Sequence, residues 1–457
     1  MKHKIVVSKF GGSSMADTEA MLRSGKVTLA QNSKVVLVSA TYGTTNQLVS
    51  LCKLSQQKDW RQCENILFDI KQKHHSIANE LNISSDSKLL LTEQLTELET
   101  LCKGIHLLNE CSDKATDRVL SIGERMSSLL FSEALKVLKP DRDVQYFDIR
   151  QVMVTDNKHT KASPLIDKIK ARAKELMPLD GNVLYVTQGF IGRTVDGDTT
   201  TLGRGGSDYS ASLIGEAIGA DLVEIWTDVA GIATTDPRIC PKAVSIGSIT
   251  YSEASEMAQY GAKVLHPTTL APAIRAGIPV FVGSSYESDK PGTWITESTD
   301  NMPIIRAITK RSEQTLLVIK TPEMLNAYGF LEKIFHVFRK HQVSVDSVTT
   351  SEISVAVTVG ADTVNNEDLM QELSELGKVK ADSNYSLISL IGSGIHHAQG
   401  VGQRIFTAVG DINVRMVCLG ASNYNFNFLV EDKDADEAIR RLHKHFIEDD
   451  HENSSAR

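Results

Sequence analysis

Four short stretches of this chain combine glycine with a cation or a hydroxyl at spacings suited to holding an anion. The first is KFGGSS at 9–14, in which Lys9 precedes Gly11, Gly12 and Ser13. Glycine lets backbone amides close on phosphate oxygens, and a helix starting behind the turn would aim further amides at the same charge. Lys9 adds a mobile positive charge. The second is TTLGRGGSD at 200–208, where Gly203, Gly205 and Gly206 surround Arg204 and lead into Ser207 and Asp208. Successive amides there have the character of an anion-binding nest opening a helix, and Arg204 is the residue type that grips a carboxylate with two parallel hydrogen bonds. Asp208 beside a phosphate would be repelled unless it orients a lysine or a metal ion. The third is WTDVAGIATTDPR at 226–238, with Thr227 and Asp228 suited to a base or ribose and Arg238 to phosphate. The fourth, YGAKVLHP at 260–267, brings Lys263 as a second phosphate lysine and His266 as a structural helix-end residue. Each stretch also has a plainer reading, as a tight turn, a flexible hairpin loop or a surface loop. Glu124, in SIGERMSS, is by residue type an exposed helix carboxylate at least as readily as a ligand for an ammonium group.

These parts favour one kind of acceptor. There is no GxxxxGK[ST] loop and no HRD or DFG set, so the two common kinase architectures are excluded. Phosphoryl transfer needs positioning and charge neutralisation more than covalent help. A hydroxyl acceptor would also need a base, whereas a side-chain carboxylate, with a pKa of about 3.9, is already ionised at neutral pH. The obstacle is then repulsion between two anions. Lysines, glycine amides and Mg²⁺ answer it, and the chain offers no obvious histidine base. The inventory fits a carboxylate or phosphate acceptor.

The elements around these clusters read as an α/β layer. An opening strand at 5–7 runs into the first glycine turn, a helix spans 17–29, and a second apolar run at 35–38 ends at Ser39 and Ala40. Residues 58–138 have long helical periodicity and read as a helical insertion. Strand signals return at 183–187, 222–226 and 280–282, each beside glycine or aspartate, where α/β sheets gather binding residues. After the loop ESTDNMP near residue 300 the rhythm changes to βαββα, with helices at 330–341 and 367–376. A diverged second round begins at SLISLIG and closes with a helix at 434–445.

Composition bounds the rest. With 457 residues the chain is too long for one ordinary core, and a formal charge of -8 argues against a dedicated nucleic-acid binder. Six scattered cysteines at 52, 63, 102, 111, 240 and 418 form no CxxC pair, which disfavours zinc and dithiol readings and favours a reducing compartment. No stretch approaches the ~20 apolar residues of a membrane span, and the N-terminal apolar run is too short for a signal peptide. The expected location is the cytoplasm, with neither nucleic acid nor membrane as partner.

Taken in order, KFGGSS, the stretch from Ser39 to Asn46, the GE pair at 123–124, TQGFIG at 187–192, TLGRGGSD, WTDVAGI and GAKVLHP resemble the aspartate kinases of the amino-acid kinase superfamily. The C-terminal part resembles the paired ACT domains of the monofunctional, lysine-sensitive members. The resemblance implies a parallel-rich sheet between helices over 1–298, with the helical insertion at about 58–138. Two ferredoxin-like (α+β) ACT domains would follow, at 312–384 and 385–449, the second completed by a strand at 303–311, and then a disordered tail at 450–457. It implies transfer of the γ-phosphoryl of ATP to the β-carboxylate of L-aspartate, with L-lysine as allosteric inhibitor and a homodimer or tetramer built through the ACT domains. It assigns Lys9 and Asp208 to catalysis, Asp208 orienting Lys9. Lys9, Gly11, Gly12, Ser13, Thr227, Asp228, Ala233, Arg238, Lys263 and Val264 would bind ATP. Ser39, Thr45, Glu124, Phe190, Arg204, Gly205, Gly206 and Ser207 would line the aspartate pocket, with Arg204 on the α-carboxylate. Mg²⁺ would be carried mainly by ATP, with no protein side chain assigned to it. The lysine site would comprise Met324, Gly329, Phe330, Leu331, Ser344, Val345, Asp346, Thr350, Ser351 and Glu352. Ala230, Ala233, Ala327 and Ser13 stand where relatives often carry proline, tyrosine, serine and threonine. Kinases of glutamate, N-acetylglutamate, a nucleotide or carbamate, and a catalytically dead amino-acid sensor, are the competing readings.

Overall fold

The computed structural model describes residues 4–261, 265, 267–325 and 327–449. It divides into two compact units, one of residues 4–232, 245–251 and 265–298 and one of residues 233–244, 252–261 and 299–449.

In the first unit β1 (Val6–Phe10), β2 (Val35–Val38), β3 (Asp143–Phe147), β5 (Val183–Gln188), β8 (Leu222–Thr227), β9 (Ser248–Thr250), β10 (Val280–Ser284) and β11 (Thr293–Thr296) form one sheet. Their order is β3-β5-β2-β1-β8-β10-β11-β9. Every pairing is parallel except β10 with β11. β1 and β2 are buried along their whole length; β2 accordingly reads as an unbroken apolar run, whereas β1 carries Ser8 and Lys9 within its buried run. A small side sheet joins β4 (Val154–Thr155), β6 (Ile191–Thr194) and β7 (Thr199–Thr201).

The consequential feature is the position of β1. The chain leaves it towards β2 on one side and later returns with β8 on its other side, so the crossovers diverge at the C-terminal end of β1. Such a switch point opens a crevice beyond the strand ends, and Lys9 is the penultimate residue of β1.

Helix α1 (Thr18–Ala30) is capped by the Asp17 carboxylate, which accepts from the Ala20 amide at 2.8 Å. The helical layer comprises α2 (Thr44–Gln56), α3 (Trp60–Glu80), α4 (Ser85–Leu108) and α5 (Asp113–Leu138). Asp59, Ser84 and Ser112 cap the last three. α5 is buried along most of its length because it packs on the sheet and on α1, α2 and α4. α6 (Ile166–Leu176), α7 (Gly206–Ile218), α8 (Tyr251–Gln259) and α9 (Pro267–Ala276) follow in the chain.

The second unit is built on a six-stranded antiparallel sheet of order β13-β14-β12-β15-β17-β16. Its strands are β12 (Ala307–Lys320), β13 (Ser347–Thr350), β14 (Ser354–Gly360), β15 (Lys378–Ile391), β16 (Met416–Cys418) and β17 (Asn425–Glu431). α10 (Phe330–Lys340) and α11 (Glu367–Leu376) cover one half, and α12 (Val401–Val409) and α13 (Asp432–His443) the other. Each half has its own core, one around Leu317, Phe338 and Val357 and one around Ile308, Phe428 and Ile439. The two halves are fused through β12 and β15, each 14 residues long and each serving both. The strand expected at 303–311 is the first part of β12, where residues 307–311 pair with 387–391 of the second half. β12 begins at Ala307 and runs on into TLLVIK, crossing the polar stretch by a bulge at which Glu313 adopts φ 57°.

The unit division also departs from a single boundary at 298. Residues 233–244 and 252–261 pack with the six-stranded sheet of the second unit. Ile308 N donates to Thr234 O at 2.8 Å, and Glu253 takes the Arg306 guanidinium at 3.0 Å. The closing helix ends earlier than 445 as an α-helix and continues with π winding over Lys444–Glu448.

Candidate active site

Lys9 leaves β1 with only 9% of its side chain exposed, and its Nζ sits 2.5 Å from Asp208 Oδ1 on the first turn of α7. An ammonium this buried needs a carboxylate partner, and α7 provides one from the far side of the crevice. The turn into α7 depends on left-handed backbone, Gly203 at φ 76° and Gly205 at φ 73°, which leaves the start of the helix with no side-chain cap. Arg204, between those glycines, is exposed and forms no ion pair among the described residues. Gly189 gives way to Ser207, since a Cβ there would lie 2.7 Å from the Ser207 Cβ. Phe190 holds φ 69°, its amide donating to Ser210 Oγ at 3.0 Å, and its ring lies against Gly206. Backbone strain at this residue marks a position the surroundings over-determine.

On the other side of Lys9, Gly11 donates to the Trp226 carbonyl at 3.2 Å and Gly12 abuts the Ala40 carbonyl. The segment after them is a 3-10 turn, Gly12–Met15, and α1 starts only at Thr18. The helix expected at 17–29 is α1, capped by Asp17, and the amides nearest Lys9 belong to the intervening 3-10 turn rather than to that helix. Ser13 is half-buried, with its carbonyl accepting from Tyr286 Oη at 3.1 Å. Thr227 ends β8, and its hydroxyl donates to the neighbouring Asp228 at 3.1 Å.

Glu124, expected on the acceptor side, is carried by α5. Glu124 is 3% exposed and one of its oxygens takes the Ala40 amide at 3.3 Å, while Oε2 meets no partner among the described residues. Burial raises its carboxyl to about 8, the Ala40 hydrogen bond working the other way. Gly123 makes this approach feasible, because a Cβ there would come within 2.9 Å of the Ala40 Cβ and 3.0 Å of Leu48. Ser39 follows β2, its amide donating to Phe10 O at 3.1 Å, and Thr45 is exposed on the first turn of α2.

Two contributors, Asp117 and His74, escaped the sequence reading, and Gly123 was named there only as part of the GE pair. Asp117, fully buried on α5, accepts from the Thr160 amide at 3.0 Å and from Thr201 Oγ1 at 2.5 Å, and meets His159 at 2.8 Å. It ties the loop at 157–162 beneath the glycine turn that carries Arg204, since the Thr160 carbonyl lies under Gly203. The signal was its seven-residue spacing from Glu124, which puts both carboxylates on one helix face. His74 reaches the Thr41 hydroxyl at 3.3 Å, and burial pushes its pKa down to about 4, so it is neutral and structural. Gly123 was visible as a glycine inside a helix.

Not every expected residue gathers here. Ala233 and Arg238 belong to the second unit, where Arg238 chelates the Asp236 carboxylate at 2.6 and 3.0 Å. Lys263, Val264 and His266 lie outside the described residues. In the second unit, just before β13, Asp346 is 7% exposed in its side chain and pairs with Arg311 at 2.9 Å, while its Oδ2 finds no partner among the described residues. Burial raises its carboxyl and Arg311 draws it back. Phe330 is buried, Met324 and Val345 are half-buried, and Gly329, Leu331, Ser344, Thr350, Ser351 and Glu352 are exposed. Ala327 is exposed beside them.

A buried lysine–carboxylate pair at a sheet switch point, flanked by amide-rich turns and a desolvated carboxylate but no base, describes a phosphotransferase of the amino acid kinase class. The comparisons agree. The model of the amino acid kinase family matches residues 4–284, and an ACT domain model matches 388–446. The chain is 42% identical to the lysine-sensitive aspartokinase 3 of Escherichia coli K12, covering 97% of this chain and 100% of that protein. It is 35% identical to a chloroplastic aspartokinase 3 of Arabidopsis thaliana over 97% of this chain and 82% of that one. Crystal structures of Escherichia coli aspartokinase III superpose with TM-scores of 0.87, for the complex with aspartate and ADP, and 0.81, for the complex with lysine and aspartate. Both are 41% identical and cover 97% of this chain, which spans 99% and 100% of those chains. The chain belongs to the aspartokinases, kinases of the amino acid kinase family that carry ACT domains. Among the described residues no helix is long and apolar enough to cross a membrane.

The raised carboxyl of Glu124 has a measurable consequence. Between its unfolded value, near 4.5, and its folded value, about 8, the native state holds a proton that the unfolded state has lost. This contribution to stability therefore declines as pH rises through that window. Glu124→Gln should flatten that decline, so that the melting temperature of the variant relative to the parent rises by a few degrees between pH 5 and pH 8. Parallel melting curves for the two proteins across that range would show that Glu124 is not held protonated.

Proposed function

We propose that this enzyme transfers the γ-phosphoryl group of ATP to the β-carboxylate of L-aspartate, giving 4-phospho-L-aspartate and ADP, under feedback inhibition by L-lysine. The observation that carries the reading is the Lys9–Asp208 pair at the switch point. The relatives are named as aspartokinases, one as lysine-sensitive, and the solved structures contain aspartate, ADP or lysine.

In this reading Lys9 neutralises charge on the transferring phosphoryl oxygens, and Asp208 fixes the direction of its ammonium so that no reorganisation is needed as charge shifts. Gly11, Gly12 and Ser13 supply the turn that cradles phosphate, with Thr227 and Asp228 at the neighbouring strand end for the nucleoside. Ala233, Arg238, Lys263 and Val264 complete the proposed nucleotide contacts. Arg204, exposed and unpaired, takes the α-carboxylate of the substrate. Glu124 takes the α-ammonium, and the arriving cation ionises a carboxyl that burial had kept neutral. Ser39, Thr45, Phe190, Gly205, Gly206 and Ser207 shape the pocket. The attacking oxygen arrives ionised, so no side chain removes a proton. Mg²⁺ fits this site as a passenger on the ATP phosphates, since the Asp208 carboxylate is committed to Lys9, and it would supply further charge neutralisation there.

For the effector, Asp346 Oδ2, without a partner among the described residues, would accept the cation, with Glu352 exposed in the bend after β13. Met324, Gly329, Phe330, Leu331, Ser344, Val345, Thr350 and Ser351 would complete the lysine site. We further propose assembly of two or four chains through the regulatory units, and a cytoplasmic location, which six free cysteines favour.

ADP release measured with ATP, Mg²⁺ and L-aspartate should far exceed the rate with L-glutamate or with no acceptor. Millimolar L-lysine should suppress it. Equal turnover with glutamate, or none with aspartate, would refute the acceptor assignment. Asp346→Ala should raise the half-inhibiting lysine concentration about tenfold or more, as expected for loss of a charge-assisted hydrogen bond of roughly 1.5–3 kcal/mol. Basal turnover should stay within about twofold. Unchanged inhibition in that variant would remove Asp346 from the effector site.

A further inference from the structure

One cluster in the second unit has no part in phosphoryl transfer or lysine binding. Cys240, in the loop at 233–244, is 5% exposed, and His443, the last residue of α13, is fully buried. Cys240 Sγ lies 3.4 Å from His443 Nδ1 and 3.9 Å from Glu448 Oε1, and those two atoms are 3.0 Å apart. Three different donor atoms thus converge on one point, and this is the only such group of three among the described residues.

The separations match those around a small metal ion. With zinc bonds of about 2.3 Å to sulfur and about 2.0–2.1 Å to nitrogen and oxygen, tetrahedral geometry puts donor atoms roughly 3.3–3.6 Å from one another. Each observed distance falls within about half an ångström of that window. The backbone is arranged to the same end. On an α-helix residues five apart point in well-separated directions, but Lys444–Glu448 adopts π winding, which brings Glu448 back beneath His443. Single π turns often occur at ligand sites.

The surrounding groups also suit a metal-bound histidine. His443 Nε2 lies 2.9 Å from Thr234 Oγ1, which also accepts from the Val244 amide at 3.1 Å. An acceptor on the second ring nitrogen fixes the tautomer that leaves Nδ1 available as a ligand. The other oxygen of Glu448 is taken by Lys242 Nζ at 2.8 Å, which leaves Oε1 directed at the cluster.

We propose that Cys240 Sγ, His443 Nδ1 and Glu448 Oε1 form a binding site for zinc or a similar divalent transition-metal ion, with a solvent oxygen as fourth ligand. On binding, the thiol proton leaves to solvent and the imidazole carries its one proton on Nε2, facing Thr234. A thiolate and a carboxylate balance the two positive charges of the ion. The site clips the end of the C-terminal helix to the loop at 233–244. Its chemistry is independent of the acceptor and effector assignments above.

The test uses the full-length chain, stripped with a chelator and titrated with Zn²⁺ and separately with Co²⁺. One zinc per chain should survive gel filtration, and the Co²⁺ form should show a thiolate-to-metal charge-transfer band with four-coordinate ligand-field absorption. Cys240→Ser should abolish that band and weaken zinc binding at least tenfold, while Cys418→Ser leaves both intact. Glu448→Gln, at the most exposed of the three positions, serves if Cys240→Ser fails to fold, and Thr234→Ala should weaken zinc about 10–100-fold. Substoichiometric zinc, a cobalt spectrum without thiolate character, or a band that persists in Cys240→Ser would each overturn the proposal.

Discussion

A buried ammonium must be paired, and in this molecule that requirement joins β1 to α7. Lys9 sits where the crossovers of a parallel sheet diverge, and Asp208 meets it from the first turn of a helix whose entry needs two left-handed glycines. Removing one partner of such a pair strands the other charge at a cost of roughly 3–5 kcal/mol. The glycine turns, the strained Phe190 and the loop anchored by Asp117 can be understood as the means of holding α7 at the distance the pair demands. A lysine steered in this way is preorganised for an anion that itself bears no removable proton.

The acceptor side works through desolvation. α5 comes close enough to bury Glu124 only because Gly123 has no side chain, and the buried carboxyl then stays neutral until a cation reaches it. In the proposed reading an amino-acid substrate would bring that cation together with a carboxylate for Arg204, so the pocket would gain from a zwitterion what it would not gain from an isolated anion. Repulsion between acceptor and nucleotide is met by fixed charges set in advance. The same logic recurs in the second unit, where Asp346 keeps one oxygen for Arg311 and one unclaimed.

Much of this was legible in the sequence. Largely apolar runs announced β2, β5, β8 and β10 to within two residues, β8 despite its internal Glu224, because parallel strands buried on both faces leave little room for alternation. The glycine clusters located the strand ends. The burial of Glu124 was not legible from its neighbours, since a glutamate within a long helix looks the same whether it faces solvent or a pocket. Resemblance placed it there, and the structure supplies the reason in Gly123. The pairing of Asp346 with Arg311 and the fusion of two βαββα units through 14-residue strands depend on contacts remote in sequence. So does the attachment of residues 233–244 to the regulatory sheet, which hydrogen bonds such as that from Ile308 to Thr234 create.

The most direct test of the account is to trap the product. An acyl phosphate reacts with hydroxylamine to give a hydroxamate, which neither a phosphate ester nor free phosphate does. With ATP, Mg²⁺, L-aspartate and hydroxylamine, the enzyme should form aspartyl hydroxamate in step with ADP. Lys9→Ala should slow both at least 100-fold, in the range expected for loss of a preorganised transition-state charge. ADP release without hydroxamate, or a Lys9→Ala variant that forms it at the parent rate, would contradict the claim that this pair drives phosphorylation of a carboxylate.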